Sequence, residues 1–175
     1  MSRIKVFENP ERWYEKQTPS VDALETLDVI LMRKDPPFDS EYIYSTYILE
    51  AAEKRGCLVV NKPSSLRNCN EKIFATEFPK CTPPSLVSRN KALLKNFLSS
   101  HNDVVLKPLN GMGGKSVFRV QKHDSNVNVI IETLTQEGSQ TVMAQRYIPE
   151  IAAGDKRILI VGGEIIPHSL ARLPD

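Results

Sequence analysis

No apolar run in this sequence approaches the roughly 20 residues needed to cross a bilayer. The opening Met1-Ser2-Arg3-Ile4-Lys5-Val6-Phe7-Glu8 carries no signal-peptide core. Both omissions point to a cytoplasmic protein with no membrane partner. Cysteine is scarce: Cys57, Cys69 and Cys81 form no C-x-x-C pair and have no histidines at metal spacing, so neither a disulfide framework nor a zinc site is expected, and the thiols should be buried or half-buried. His101, His123 and His168 follow no pattern. Aromatic residues make up 7% of the chain and are sparse around the basic positions, which places a nucleic-acid binder low among the alternatives. Internal repeats and low-complexity tracts are missing too.

The remaining composition is that of a soluble globular chain, with 175 residues, 41% hydrophobic and 25% charged, enough for one ordinary domain or two small ones. Its net charge of +2 conceals an asymmetry. From Lys72 to Lys122 nine Lys or Arg stand against Glu77 and Asp103, a net +7, which leaves −5 for the rest of the chain. Such a field suits a polyanionic ligand such as ATP.

At the centre of that field lies Val104 to Val120. An apolar, β-branched run ends on Lys107, three glycines fall within four positions at Gly111, Gly113 and Gly114, and an alternating run follows, predicting two strands joined by a glycine loop. Glycines let main-chain N–H groups approach an anion, and Lys107 and Lys115 bracket the loop as mobile point charges. Gly114-Lys115-Ser116 is not the end of a P-loop, because that pattern demands glycine at Leu109 and a helix afterwards. Gly111-x-Gly113 is not a dinucleotide fingerprint, whose third glycine would fall on Ser116. The residues alone leave two readings open, a phosphate-covering loop and a hairpin with surface lysines.

In chain order, Asn9-Pro10-Glu11 predicts a short helix reaching Tyr14, and Leu27 to Met32 reads as a buried strand. Asp39 caps a helix running to Arg55, with Ile43, Tyr44, Tyr47, Ile48 and Ala51 as its apolar stripe and Gly56 as its stop. Cys57 to Asn61 is a second buried strand, giving a β-α-β unit over 27 to 61. Pro63 to Pro79 reads as mainly helical and would carry Lys72 on a helix. Ser85 to Ser88 is a strand, Asn90 caps a helix from Lys91 to about Ser100, a helix follows near Val127 to Leu134, and Thr141 to Ile148 is a strand. Asp155 to Ile166 predicts two strands about the Gly162-Gly163 turn. The fold class is α/β (α+β).

Asp28-Val29-Ile30-Leu31-Met32-Arg33-Lys34-Asp35-Pro36-Pro37-Phe38-Asp39, Asn61-Lys62-Pro63, Asn70-Glu71-Lys72, Leu106 to Gly114 and Gly154-Asp155-Lys156-Arg157 resemble, in order and spacing, the bacterial glutathione synthetases of the ATP-grasp superfamily. The resemblance implies a partial pre-ATP-grasp β-α-β domain over 1–67, an ATP-grasp small lobe with its glycine loop over 68–140 and the start of a second lobe over 141–175. It implies an ATP-dependent carboxylate-amine ligase that phosphorylates the cysteinyl carboxylate of γ-glutamylcysteine and lets the amine of glycine attack the acyl phosphate. Carried over by position, Lys72 and Lys107 hold ATP phosphates beneath the loop Gly111, Met112, Gly113 and Gly114. Gln145, Arg146, Tyr147 and Ile148 surround the adenine, and Asp155 contacts the nucleotide near the ribose. Arg157 and Arg172 face the transferring phosphate or the acidic dipeptide.

The family's Mg²⁺ ligands and second substrate loop match no residue here, so the chain is expected to be a copy incomplete at both ends and inactive alone. Homo-oligomerisation is implied by family resemblance only. Two other readings stand beside this one: a ligase of the same superfamily for another amino acid or peptide, and an ATP-binding module without catalysis.

Overall fold

The computed structural model describes residues 2 to 173. The chain divides into two compact units, with the boundary between Asn70 and Glu71.

The first unit opens with a hairpin of β1 (Ile4–Val6) and β2 (Tyr14–Lys16), paired antiparallel. The helix expected after Asn9 does not form. Asn9 Oδ1 accepts from the Glu11 N–H at 2.9 Å and the Phe7 N–H donates to Trp13 O at 2.9 Å, so the connection is a turn. An asparagine that satisfies a backbone donor two residues on builds a turn as readily as it caps a helix, and here the turn serves the pairing of β1 with β2. Next come β3 (Val29–Leu31), α1 (Ser40–Glu53) and β4 (Leu58–Val60), with β3 and β4 parallel, which is the expected β-α-β unit. Asp39 caps α1 by accepting from the Tyr42 N–H at 2.9 Å.

The buried stripe of α1 is Tyr42, Thr46, Leu49 and Ala52, not the predicted Ile43, Tyr44, Tyr47, Ile48 and Ala51. Both sets recur at three- and four-residue intervals, so periodicity could not choose between them. Leu49 and Ala52 pack with Cys57 and Val59, while Leu24, Leu27, Ile30 and Met32 close the cluster. Alternation then leaves Val29, Leu31, Leu58 and Val60 exposed on the other face of the pair. Of the three thiols only Cys57 is buried; Cys69 and Cys81 are exposed, because they lie in connections after α2 (Pro63–Asn68) and not on a packed face.

Arg67 ties α2 to α1 by donating to Glu50 at 2.5 Å and to the buried Thr46 hydroxyl at 3.1 Å, and its guanidinium lies over the Tyr47 ring. The Arg67 hydrogen bond holds the Glu50 carboxyl below its ordinary range. The stability linked to it is present above the ordinary carboxylate pKa and is lost as pH falls through the lowered folded value. Arg67→Met should therefore lower stability at pH 7 and flatten its decline in acid, as read from melting temperatures between pH 3 and 7. A pH profile parallel to that of the unaltered chain would overturn this assignment.

The second unit begins at Glu71. The helix expected across 63 to 79 ends at Asn68; Lys72 sits in a turn, and only a short 3-10 segment, Phe74–Glu77, follows. Then come β5 (Ser85–Ser88), α3 (Lys91–His101), β6 (Asp103–Pro108), β7 (Phe118–Gln121), α4 (Val127–Thr135) and β8 (Val142–Arg146). The four strands form one antiparallel sheet in the order β5-β8-β6-β7. One face packs on the two helices: Val104, Leu106, Val120, Val142 and Ala144 meet Leu94 and Leu98 of α3 and Ile131 and Leu134 of α4.

Asn90 caps α3, its Oδ1 accepting from the Ala92 and Leu93 N–H groups at 2.9 and 3.1 Å. Asn90→Ala should cost about 0.5–2 kcal/mol, read as a lower urea midpoint, whereas Asn90→Asp should leave it within a few tenths.

After a 3-10 segment, Pro149–Ala153, the chain runs out as a ribbon of β9 (Asp155–Arg157), β10 (Ile160–Val161), β11 (Glu164–Ile165) and β12 (Leu170–Arg172). β10 and β11 pair about Gly162 and Gly163, whose φ values of 61° and 89° suit the predicted turn. The first predicted strand is interrupted, and its beginning, β9, pairs instead with β12.

Candidate functional site

The sheet of the second unit has one face on its helices and another that carries chemistry. The β6–β8 register sets Lys107 opposite Met143 and Val105 opposite Gln145. Alternation therefore puts Asp103, Val105 and Lys107 of β6 on the same face as Gln145 of β8 and Arg119 and Gln121 of β7. Arg146 and Ile148 fall on the opposite parity and are exposed. Tyr147 returns to the Lys107 face just beyond β8, where its N–H donates to Asp103 O at 3.0 Å. The Gln145 amide donates to Ser85 Oγ at 2.9 Å, which fixes that side chain along β5.

Lys72 and Lys107 come together at the root of the glycine loop. Lys72 Nζ donates to Gly111 O at 2.6 Å and to Glu71 Oε1 at 2.7 Å, and its side chain is 12% exposed. Lys107 is half-buried; burial lowers its ammonium pKa below the ordinary lysine value, the Lys72 charge lowers it further, and Glu71 partly offsets both. The loop residues Gly111, Met112, Gly113 and Gly114, with Glu71, Lys72, Pro108, Lys115 and Val117, line a cavity of about 100 Å³. That volume is well below the roughly 300–1,000 Å³ of a site for a whole drug-sized ligand. It is room for a phosphate group between cations.

Backbone geometry accounts for the loop's composition. Gly113 and Gly114 have φ of 65° and 73°, and a Cβ on Gly111 would stand 3.3 Å from Pro108 Cγ. Side chains at these positions would strain the turn or crowd its root. Glu71 was not among the residues expected in the site; its place directly before Lys72 in the sequence was the available signal.

In the ribbon, Arg172 and Asp155 face each other across β12 and β9 and form a two-pronged ion pair, with Arg172 Nε donating to Asp155 Oδ1 at 2.9 Å. The Arg172 hydrogen bond holds the Asp155 carboxyl below its ordinary range. Arg157 lies opposite Leu170 and is exposed. No group of three or more His, Cys, Asp or Glu side chains able to hold a metal ion occurs among the described residues. The cavity itself is cationic, and its one carboxylate, Glu71, is already paired. This donor set does not anchor a divalent cation. Among the described residues no helix is long and apolar enough to cross a membrane.

Comparison with known proteins gives two family matches that together span most of the chain. The prokaryotic glutathione synthetase N-terminal domain matches residues 1–67 and the prokaryotic glutathione synthetase ATP-grasp domain matches residues 71–175. Glutathione synthetase of Pseudomonas aeruginosa is 59% identical over 174 residues, 99% of this chain and 55% of that protein. That of Photorhabdus laumondii is 59% identical over 171 residues, 98% of this chain and 54% of that protein. The chain thus spans about half the length of these curated relatives. Among solved structures, D-cycloserine synthetase DcsG aligns with a TM-score of 0.67 at 16% identity, over 91% of this chain and 63% of that one. A RimK-domain ATP-grasp protein from Sphaerobacter thermophilus aligns with a TM-score of 0.60 at 20% identity, over 79% and 52%. These structural likenesses concern the fold, and they agree with the expected α/β architecture of ATP-grasp type.

Proposed function

Because the chain belongs to the prokaryotic glutathione synthetase family, we propose that it supplies the ATP-phosphate site of a ligase joining glycine to γ-glutamylcysteine. The observation that carries this is Lys72 bound to Gly111 O in a loop cavity that Lys115 also lines, with Lys107 near the end of the strand leading into the loop and within the field of Lys72. Two cations held near each other, both partly withdrawn from solvent, repel each other, and a phosphate chain between them turns that repulsion into attraction. Lys107 and Lys72 take the phosphate oxygens and Gly111 to Gly114 lie over them. Gln145 and Tyr147 face the base with their side chains; Arg146 and Ile148, on the opposite parity, contribute main-chain groups only, and Asp155 lies toward the ribose. Arg157 and Arg172 face the transferring phosphate or the dipeptide carboxylate, Arg172 with its guanidinium plane set by Asp155.

In this reaction a carboxylate oxygen of γ-glutamylcysteine attacks the terminal phosphorus and ADP leaves. The glycine amine then attacks the acyl carbon, loses a proton and expels phosphate. Little of this is covalent work for the protein, so fixed cations and positioning are the contributions required. Magnesium would accompany the nucleotide and neutralise phosphate charge, and no residue of this segment is assigned to hold it. A cytoplasmic setting and homo-oligomeric assembly belong to the same proposal and rest on family membership.

Calorimetric titration with Mg-ATP tests the site. Lys72→Ala should weaken binding about ten- to a hundredfold, the range for charge-assisted hydrogen bonds of about 1.5–3 kcal/mol. Heats of binding unchanged in that variant would overturn the assignment of Lys72. In an enzyme carrying this segment, ADP release should require both γ-glutamylcysteine and glycine; release with another acid and amine at equal rates would overturn the substrate assignment.

A further inference from the structure

Tyr147 is held from two directions by one residue of the neighbouring strand. Its N–H donates to the main-chain oxygen of Asp103 at 3.0 Å. The Asp103 carboxylate meanwhile grips Arg119 of β7, with Nε to Oδ1 at 3.1 Å and Nη2 to Oδ2 at 2.7 Å, and accepts a further bond from Gln121 Nε2 at 3.3 Å. Arg119 reaches across β6 from that grip, and its guanidinium carbon lies 3.7 Å from the centre of the Tyr147 ring.

This arrangement is poorly explained as a stabilising device. The Arg119 and Asp103 side chains are 49% and 26% exposed, and exposed ion pairs contribute little to folding. What the fork does fix is direction. A planar cation locked in two hydrogen bonds cannot swing away, so the ring beneath it keeps one orientation. That ring stands on the same sheet face as Lys107 and Gln145 and begins the segment that leaves the sheet after β8.

We propose that Arg119, locked by Asp103, is a positioning residue that sets the Tyr147 ring as a wall for the purine base, at the end of the site away from the phosphate-binding lysines. The inference rests on the nucleotide reading above. One ring face is occupied by the guanidinium, so the base meets the other face or the edge. Arg119 itself does not touch the phosphates in this arrangement. Its effect is on the base alone, and that separates it from the lysines.

The test is a titration of the chain with Mg-ATP, Mg-ADP and inorganic tripolyphosphate, comparing the unaltered protein with Arg119→Met, Arg119→Lys and Asp103→Asn. Loss of the clamp should weaken ATP and ADP equally, by about three- to tenfold, and leave tripolyphosphate unchanged. Arg119→Lys, which keeps a cation near the ring, should recover part of the loss, and Asp103→Asn should resemble Arg119→Met. Equal weakening of tripolyphosphate and ATP would mean general damage to the lobe and would overturn the proposal. So would unaltered ATP affinity in Arg119→Met alongside normal binding by the parent chain. Failure of the unaltered chain to bind Mg-ATP while binding tripolyphosphate would instead overturn the nucleotide reading on which the proposal stands.

Discussion

Lys107→Ala should remove most of the stabilisation that Mg-ATP gives this chain while leaving the ligand-free protein at least as stable as before. A ligand at about a hundred times its dissociation constant adds roughly 2.7 kcal/mol to the folded state. Removing a charge-assisted partner worth about 1.5–3 kcal/mol weakens binding about ten- to a hundredfold. At the same nucleotide concentration the variant would then retain only about 0.4–1.4 kcal/mol of stabilisation. The ligand-free side of the comparison follows from electrostatics. Lys107 is half-buried beside the like charge of Lys72, and both depress its pKa, so the folded protein holds this cation at a cost. Alanine relieves that cost. Thermal melts with and without Mg-ATP check both halves at once, and an equal upward shift in the two proteins would remove Lys107 from the site.

The second large effect belongs to the residue beside it. Leu106 is 2% exposed and lies in the cluster between the sheet and helices α3 and α4. Leu106→Ala should cost about 2–5 kcal/mol, lost transfer energy plus an unfilled cavity. Against total stabilities of about 5–15 kcal/mol this is a large fraction. The urea midpoint should fall with the slope unchanged. Nucleotide affinity should fall too, because Leu106 anchors the strand that aims Lys107 to the opposite face. Leu58→Ala is the control: Leu58 is 58% exposed on β4 of the first unit, and its loss should stay within about 0.5 kcal/mol. A similar cost for the two would contradict the burial that separates them.

Both predictions depend on features of unequal legibility. The β6-loop-β7 hairpin could be read directly, since a β-branched run, a glycine cluster and an alternating run have few other local solutions. The caps at Asp39 and Asn90 were equally plain. At Asn9 the same kind of residue built a turn, because a short polar side chain serves either purpose and only the pairing of β1 with β2 decided between them. On α1, two stripes of the same period ran along one helix, and tertiary packing chose between them: Leu49 and Ala52 met Cys57 and Val59, and Thr46 met Arg67 of α2.

By itself the sequence determined the local elements, the charge asymmetry around the glycine loop and, through its motifs, the family. These are properties of neighbouring residues, set by backbone freedom, side-chain hydrogen bonding and hydrophobic period. Tertiary structure alone decided which distant groups meet: Lys72 with Gly111, Asp155 with Arg172, and Asp103 with both Arg119 and Tyr147. Those meetings depend on strand order and register, and in the order β5-β8-β6-β7 the strand inserted between β5 and β6, β8, is the last of the four in sequence. Which strand pairs with which is fixed by the packing of the whole core, and no local stretch of sequence carries that information.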